Sequence, residues 1–304
     1  MGSGLWSTGL YRATVSASVD AGTPTFAYHA TTAAKPQHQW KVHESLDPRK
    51  IKGLREARDS AEHPATLPVA VFFDVTGSMG EIPRTFQEKL PKLMTLLATA
   101  GGLADPQVLF GALGDAWCDK VPFQVGQFES DNRCDEQLRA VFLEAGGGGQ
   151  DMESYDLAYY FAARKTVIDS WEKRAKKGYL FTIGDERFYQ TLPASIIERV
   201  FGEYAGGDLE FPTLVAEAMA RFQVFHITAM QGSVATEAVR GAWTQALGQR
   251  ALLLDDAALV CELIASTVAL CEGAGEVGDG LGLDHAGSAA LSKALDGVRK
   301  IILE

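Results

Sequence analysis

The feature that most constrains this chain is a repeated alternation. A short, continuously apolar run is followed by a turn marked by Gly or Asp, and then by a longer stretch with helical spacing. Residues 67–73 read Leu-Pro-Val-Ala-Val-Phe-Phe and end on Asp74, and comparable runs recur at 108–113, 178–183, 224–228 and 251–254. An apolar run without polar alternation predicts a strand covered on both faces, as in a parallel sheet. Helical spacing is read at 81–100, 135–144, 154–171, 194–204, 212–222, 235–247 and 257–271. Strands alternating with helices predict an α/β fold, a doubly wound, mostly parallel, Rossmann-like sheet flanked by helices. Pro83 falls in the first turn of the first helix, where proline is tolerated. Pro91 lies inside that helix and predicts a kink or break. Residues 121–128 alternate and predict a strand at the sheet edge.

The flanks differ from this middle. Residues 1–63 show little periodicity, carry Pro24, Pro36 and Pro48, and hold eight Lys and Arg against six Asp and Glu, whereas the whole chain has a net charge of −11. They predict an extended N-terminal arm wrapped over the domain, with a short helical turn at 54–58. Residues 64–272 form the predicted domain. Residues 273–304 are a Gly-rich linker followed by a small helix at 289–303. Hydrophobic residues make up 46% of the chain, which excludes a disordered one. The acidic balance disfavours sequence-independent nucleic-acid binding, which needs Lys and Arg on phosphates. No run of about 18 apolar residues is present, so no membrane span is expected. No charged start with an apolar core follows the first residue, so no secretion signal is expected. Cys118, Cys134, Cys261 and Cys271 form no CxxC pair and read as reduced, mostly buried thiols of a cytoplasmic protein.

In an open parallel sheet, ligands bind beyond the carboxyl ends of the strands. Three predicted strands end beside an aspartate: Asp74, Asp115 and Asp185. Packing alone does not select a carboxylate after a buried apolar run, and negative charge gathered there calls for a cation. The sequence Asp74-Val75-Thr76-Gly77-Ser78-Met79 offers one carboxylate and two hydroxyls at alternate positions. Oxygen-only ligands suit a hard cation: Mg²⁺ above all, or Ca²⁺ or Mn²⁺. Asp115 reads as a loop brace rather than a ligand, His226 as a core histidine, and Trp117, Trp171 and Trp243 as packing against the sheet. Gly146-Gly147-Gly148-Gly149 lacks the Lys and Ser/Thr of a phosphate loop and reads as backbone passing close to the metal.

The DxTxS pattern of Asp74, Thr76 and Ser78, with Gly77 and Met79 in place, resembles the metal ion-dependent adhesion site of von Willebrand factor A domains. The resemblance runs from about Leu67 to about Cys271. It implies two further loops at the metal. One supplies an aspartate after a middle strand, a place that Asp185 fills. The other normally supplies a threonine after paired glycines. Here the glycines are followed by Gln150-Asp151-Met152-Glu153-Ser154, without a threonine, so Gln150, Asp151 or water takes that place. The resemblance further implies a protein–protein interaction module, not an enzyme, whose metal accepts a carboxylate from a partner protein. Intracellular members of the family often stand beside AAA+ ATPases or inside larger assemblies. Two alternatives remain open. A metal-dependent, phosphatase-like hydrolase would share aspartates at strand ends, but Thr76 stands where a second catalytic aspartate is needed and no GxSxG or GxGxxG is present. A structural assembly subunit would hold the metal incidentally.

Overall fold

The computed structural model describes residues 4–50, 53–79, 81–100, 105–144, 152–202, 204–229, 237–274 and 281–303. The chain opens with helices α1 (Thr8–Asp20) and α2 (Ala27–Ala33), then a short strand β1 (Arg55–Ala57). Strand β2 (Thr66–Asp74) leads into helix α3 (Glu81–Ala100), strands β3 (Asp105–Leu113) and β4 (Phe123–Val125), and helix α4 (Arg133–Arg139). There follow β5 (Met152–Glu153), α5 (Tyr155–Arg164), β6 (Thr166–Ile168), α6 (Asp169–Arg174), β7 (Gly178–Ile183), β8 (Arg187–Phe188), β9 (Thr191–Leu192) and α7 (Ala194–Phe201). The last part holds β10 (Leu209–Glu210), α8 (Phe211–Arg221), β11 (Phe222–Ala229), α9 (Glu237–Leu247), β12 (Ala251–Leu254), α10 (Val260–Cys271), α11 (His285–Ala294) and α12 (Asp296–Leu303).

The main sheet has six strands in the order β12-β11-β7-β2-β3-β4. All neighbours are parallel except β4, which runs antiparallel to β3 at the edge. The fold is therefore α/β and mostly parallel, as the alternation predicts. The period of two sends Val69, Val71 and Phe73 to one face, against α3 and α10, while Ala70 and Phe72 face α5 on the other. From β2 the chain winds out through β3 to β4, then returns to β7 on the far side of β2. That reversal puts the binding crevice of an open sheet beside the end of β2.

Four expectations need correction. The arm is not extended: α1 and α2 are helices. Helix α1 buries only Tyr11, so it has no apolar stripe for a sequence pattern to reveal. It starts at the Ser7 cap, whose side chain accepts from Leu10 N–H, and docks through Asn132, which exchanges two hydrogen bonds with the Ser7 backbone. Phe26 and Leu46 are buried in the core against the sheet, so the arm packs on the domain as expected. Residues 55–57 form β1, not a helical turn, and pair in parallel with β6. That pairing also divides the helix expected over 154–171. The β-branched run Thr166-Val167-Ile168 leaves the helix to become β6, a preference that helical periodicity cannot see. The tail is two helices rather than one, the first capped by Asp284, which accepts from Gly287 N–H at 2.8 Å. Residues 275–280 of the expected linker lie outside the described residues.

Pro91 does not break α3. A proline there removes the N–H that the Gln87 carbonyl would otherwise accept. The Tyr11 hydroxyl of the arm donates to that carbonyl instead, at 2.5 Å. Tyr11→Phe should therefore destabilise the fold by about 1–3 kcal/mol, because it leaves a buried acceptor without its donor. Urea denaturation of the two proteins checks this. A loss within the error of the method would show that the carbonyl is satisfied some other way.

Candidate metal centre

The sheet order brings the three strand-end aspartates to one edge. β7, β2 and β3 are neighbours, with Phe73 level with Ile183 and Asp74 level with Leu113. Asp185 follows two residues beyond β7 and Asp115 two beyond β3. Asp74 and Asp185 thus share the carboxyl end of the sheet, as the sequence predicts.

Asp74 is fully buried. Its Oδ1 accepts from the Thr76 backbone N–H at 2.7 Å and from Thr76 Oγ1 at 2.6 Å. Met79 N–H donates to the Thr76 carbonyl, closing the short turn Gly77–Met79 that carries Ser78. Asp74 Oδ2 is buried without a hydrogen-bond donor. Burial raises the Asp74 carboxyl to about 7 against the Thr76 hydrogen bonds, and repulsion from Asp185 and Asp119 adds to the rise.

Other acids crowd the same edge. Glu153, at the end of β5, is buried, and its Oε2 has no donor. Burial pushes it up to about 11, with repulsion from Asp74, Glu186, Asp119 and Asp115 behind it. Burial likewise lifts Asp119 to about 7, with Glu144 and Asp115 contributing. The hydroxyl of Tyr155, the first residue of α5, is also buried without a partner, and Gly184 leaves it room, since a Cβ there would collide with the phenol.

Asp115 braces the loop, as expected. Its Oδ1 accepts from Trp117 N–H at 2.9 Å and Tyr189 Oη at 3.1 Å, and its Oδ2 accepts from Cys118 Sγ at 2.7 Å. His226 is a core residue: it lies flat on Trp243, with ring centroids 3.5 Å apart, and contacts Thr182 Oγ1 at 2.9 Å. Trp243 is buried and Trp171 packs on the core, but Trp117 is 56% exposed and does not cover the sheet. The four cysteines are free thiols; Cys134 and Cys261 are buried and Cys118 is exposed. Gln150 and Asp151, with the glycines before them, lie outside the described residues.

The donor set fits a hard cation. Thr76 spends its hydroxyl hydrogen on Asp74 and keeps its lone pairs for an ion, while Asp74 Oδ2 offers a full carboxylate oxygen. Among the described residues no three His, Cys, Asp or Glu side chains close into a ligand cage. The described acids gather at the edge without converging on one point. An ion here would use Asp74, hydroxyls and water. Glu153 is a buried acid of this edge that no sequence motif marks. Its only signal is an acid placed between the polyglycine loop and the first turn of α5.

No protein-family model matches the chain, and no curated protein matches it. Solved structures that resemble it include the proximal thread matrix protein 1 of the mussel byssus, at 12% identity and a TM-score of 0.43 over 69% of this chain and 48% of that one. They include the open conformation of the pilus adhesin SpaC of Lactobacillus rhamnosus GG, at 12% identity and a TM-score of 0.44 over 68% of this chain and 30% of that one. They also include a von Willebrand factor type A structure from Catenulispora acidiphila, at 14% identity and a TM-score of 0.40 over 69% of this chain and 43% of that one. The chain spans less than half the length of each of these three. Among the described residues no helix is long and apolar enough to cross a membrane.

Proposed function

We propose that the chain is a metal-dependent protein–protein interaction module, not an enzyme. Asp74, Thr76 and Ser78 hold a Mg²⁺-type ion, Asp185 supports it from the turn after β7, and Gln150, Asp151 or water completes the third loop. A free position on the ion takes a carboxylate from a partner protein. The observation that carries this reading is Asp74 Oδ2, a buried carboxylate oxygen without a donor at the carboxyl edge of a parallel sheet. Burying such an oxygen is costly unless something positive meets it. Glu153 Oε2, in the same condition nearby, strengthens the reading. Mg²⁺ keeps several waters and leaves room for an outside oxygen, which suits docking. The setting in view is cytoplasmic, within a larger assembly that includes a AAA+ ATPase or assembly subunits.

Affinity capture from native cells tests it. Wild-type protein should retain a partner in Mg²⁺ and lose it in chelator. Asp74→Ala should lose it in both, and Asp185→Ala should follow Asp74→Ala. Thr76→Ala and Ser78→Ala, each removing a neutral ligand, should weaken capture less. Capture of the same partners in chelator, or by Asp74→Ala, would reject metal-dependent docking.

A further inference from the structure

Beside the metal turn lies a cavity of about 450 Å³, walled on one side by the arm and on the other by the turn after β3 and by α7. The arm contributes Trp40, Lys41 and Arg49, the turn contributes Trp117 and Lys120, and α7 contributes Arg199. All four cations are exposed. In a chain with a net charge of −11, four cations around one groove form a local positive field. The groove has two lining acids. Asp47 is held by Arg49 through paired hydrogen bonds of 3.0 Å, and Asp119 is buried, with its carboxylate taking Asp115 N–H at 2.7 Å.

The same residues indicate what fits. Arg49 is committed to Asp47, and Arg199 donates to the Ala116 carbonyl. That leaves Lys41 and Lys120 as point charges, which suit separate carboxylates rather than the bidentate capture of one phosphate. Trp117 is more than half exposed, and the Trp40 ring is fixed in place by its N–H on the Lys35 carbonyl at 2.9 Å and by Phe142 at 5.1 Å. An exposed Trp117 beside a half-buried, positioned Trp40 is the kind of aromatic pair that anchors peptides at interfaces. The groove lies close along the chain to the acidic edge of the sheet: Asp119, which lines it, accepts from Asp115 N–H, two residues beyond Leu113, and Leu113 is paired with Asp74.

We propose that this groove binds an acidic peptide segment of the partner protein, with side chains against Trp40 and Trp117 and carboxylates on Lys41 and Lys120. This rests on the docking reading above and adds to it: the segment that gives one carboxylate to the metal continues into the groove. It also gives the arm a role, as the wall that completes the partner site.

The test uses the full chain and a short fluorescein-labelled Glu/Leu peptide, read by anisotropy in Mg²⁺ and in chelator, with Mg²⁺ affinity measured in parallel by calorimetry. Wild type should bind the peptide, more weakly as salt rises. Lys41→Glu/Lys120→Glu should bind it at least about tenfold more weakly, since like charges now face each other. Both sites are exposed, and an unchanged thermal melt confirms that this variant folds. The proposal is overturned if wild type does not bind the peptide, if the double variant binds as wild type does, or if inorganic tripolyphosphate displaces the peptide at lower charge concentration than free glutamate peptide does. Mg²⁺ binding without peptide binding would overturn the groove and spare the metal. Peptide binding that is lost in the double variant but unchanged by chelator would support the groove and overturn the metal reading.

Discussion

Arg55→Met is expected to destabilise the fold by about 3–5 kcal/mol. Arg55 is completely buried on β1. Its guanidinium donates to five backbone carbonyls: Gly126 at 2.9 Å, Val125 at 3.2 Å, Asp47 at 3.0 Å, Leu54 at 3.0 Å and Lys50 at 3.2 Å. It therefore ties the arm to the edge of the sheet where β4 ends. Burial draws its pKa down to about 10, with Asp47 opposing, so the group stays charged at neutral pH. Methionine fills much of the volume and removes the desolvation cost of the charge. It also strips the donors from the buried carbonyls of Val125 and Gly126 at the sheet edge and removes one of the donors to those of Asp47 and Lys50. Guanidinium denaturation should show the lower midpoint, and an effect under about 1 kcal/mol would mean that the carbonyls find other donors.

The second large effect is the pH dependence of the metal-free protein. Asp74 and Asp119 are both raised to about 7 from an ordinary value of 3.8. A carboxyl whose folded pKa is raised holds its proton in the native state after the unfolded chain has lost it. Stability is therefore full below 3.8 and declines as pH climbs from there through 7. Glu153, raised to about 11, stays protonated over this range unless a cation takes the proton's place. Without metal, the melting temperature should fall between pH 5 and pH 8. Asp74→Asn should recover on the order of 2 kcal/mol at the upper end, because the amide carries no charge to bury. Mg²⁺ at about a hundred times its pH 8 dissociation constant should stabilise wild type by about 3 kcal/mol at pH 8, and the same concentration should do less at pH 5, where protons compete for the ligands. It should do nothing for Asp74→Asn. A melting temperature that rises with pH in chelator would contradict the direction of these shifts.

Much of the sheet was legible because burial on both faces writes itself as unbroken apolar runs. The edge was legible because Asp74 and Asp185 each close such a run. What the sequence hid follows from interactions at a distance. The end of α5 depends on Thr166-Val167-Ile168 finding β1, more than 100 residues earlier in the chain. Helix α1 is held by the Ser7 cap and by contacts with Asn132 and Gln87 rather than by an apolar stripe. Pro91 stays helical because the arm supplies a donor. Trp117 read as core because tryptophan usually is, yet the Asp115 brace turns it outward beside Tyr189. Glu153 was hidden because no pattern in the sequence marks an acid that the fold buries beside others.

Docking as proposed stands on Asp74 as a metal ligand. Calorimetric titration of Mg²⁺, and then Mn²⁺, into wild type and Asp74→Ala tests it most directly, run in two buffers of different ionisation enthalpy. Wild type should show saturable binding with a buffer-dependent heat, because the ion displaces protons from Asp74 and its acidic neighbours, and Asp74→Ala should show no binding. Equal affinity in the two proteins would contradict it.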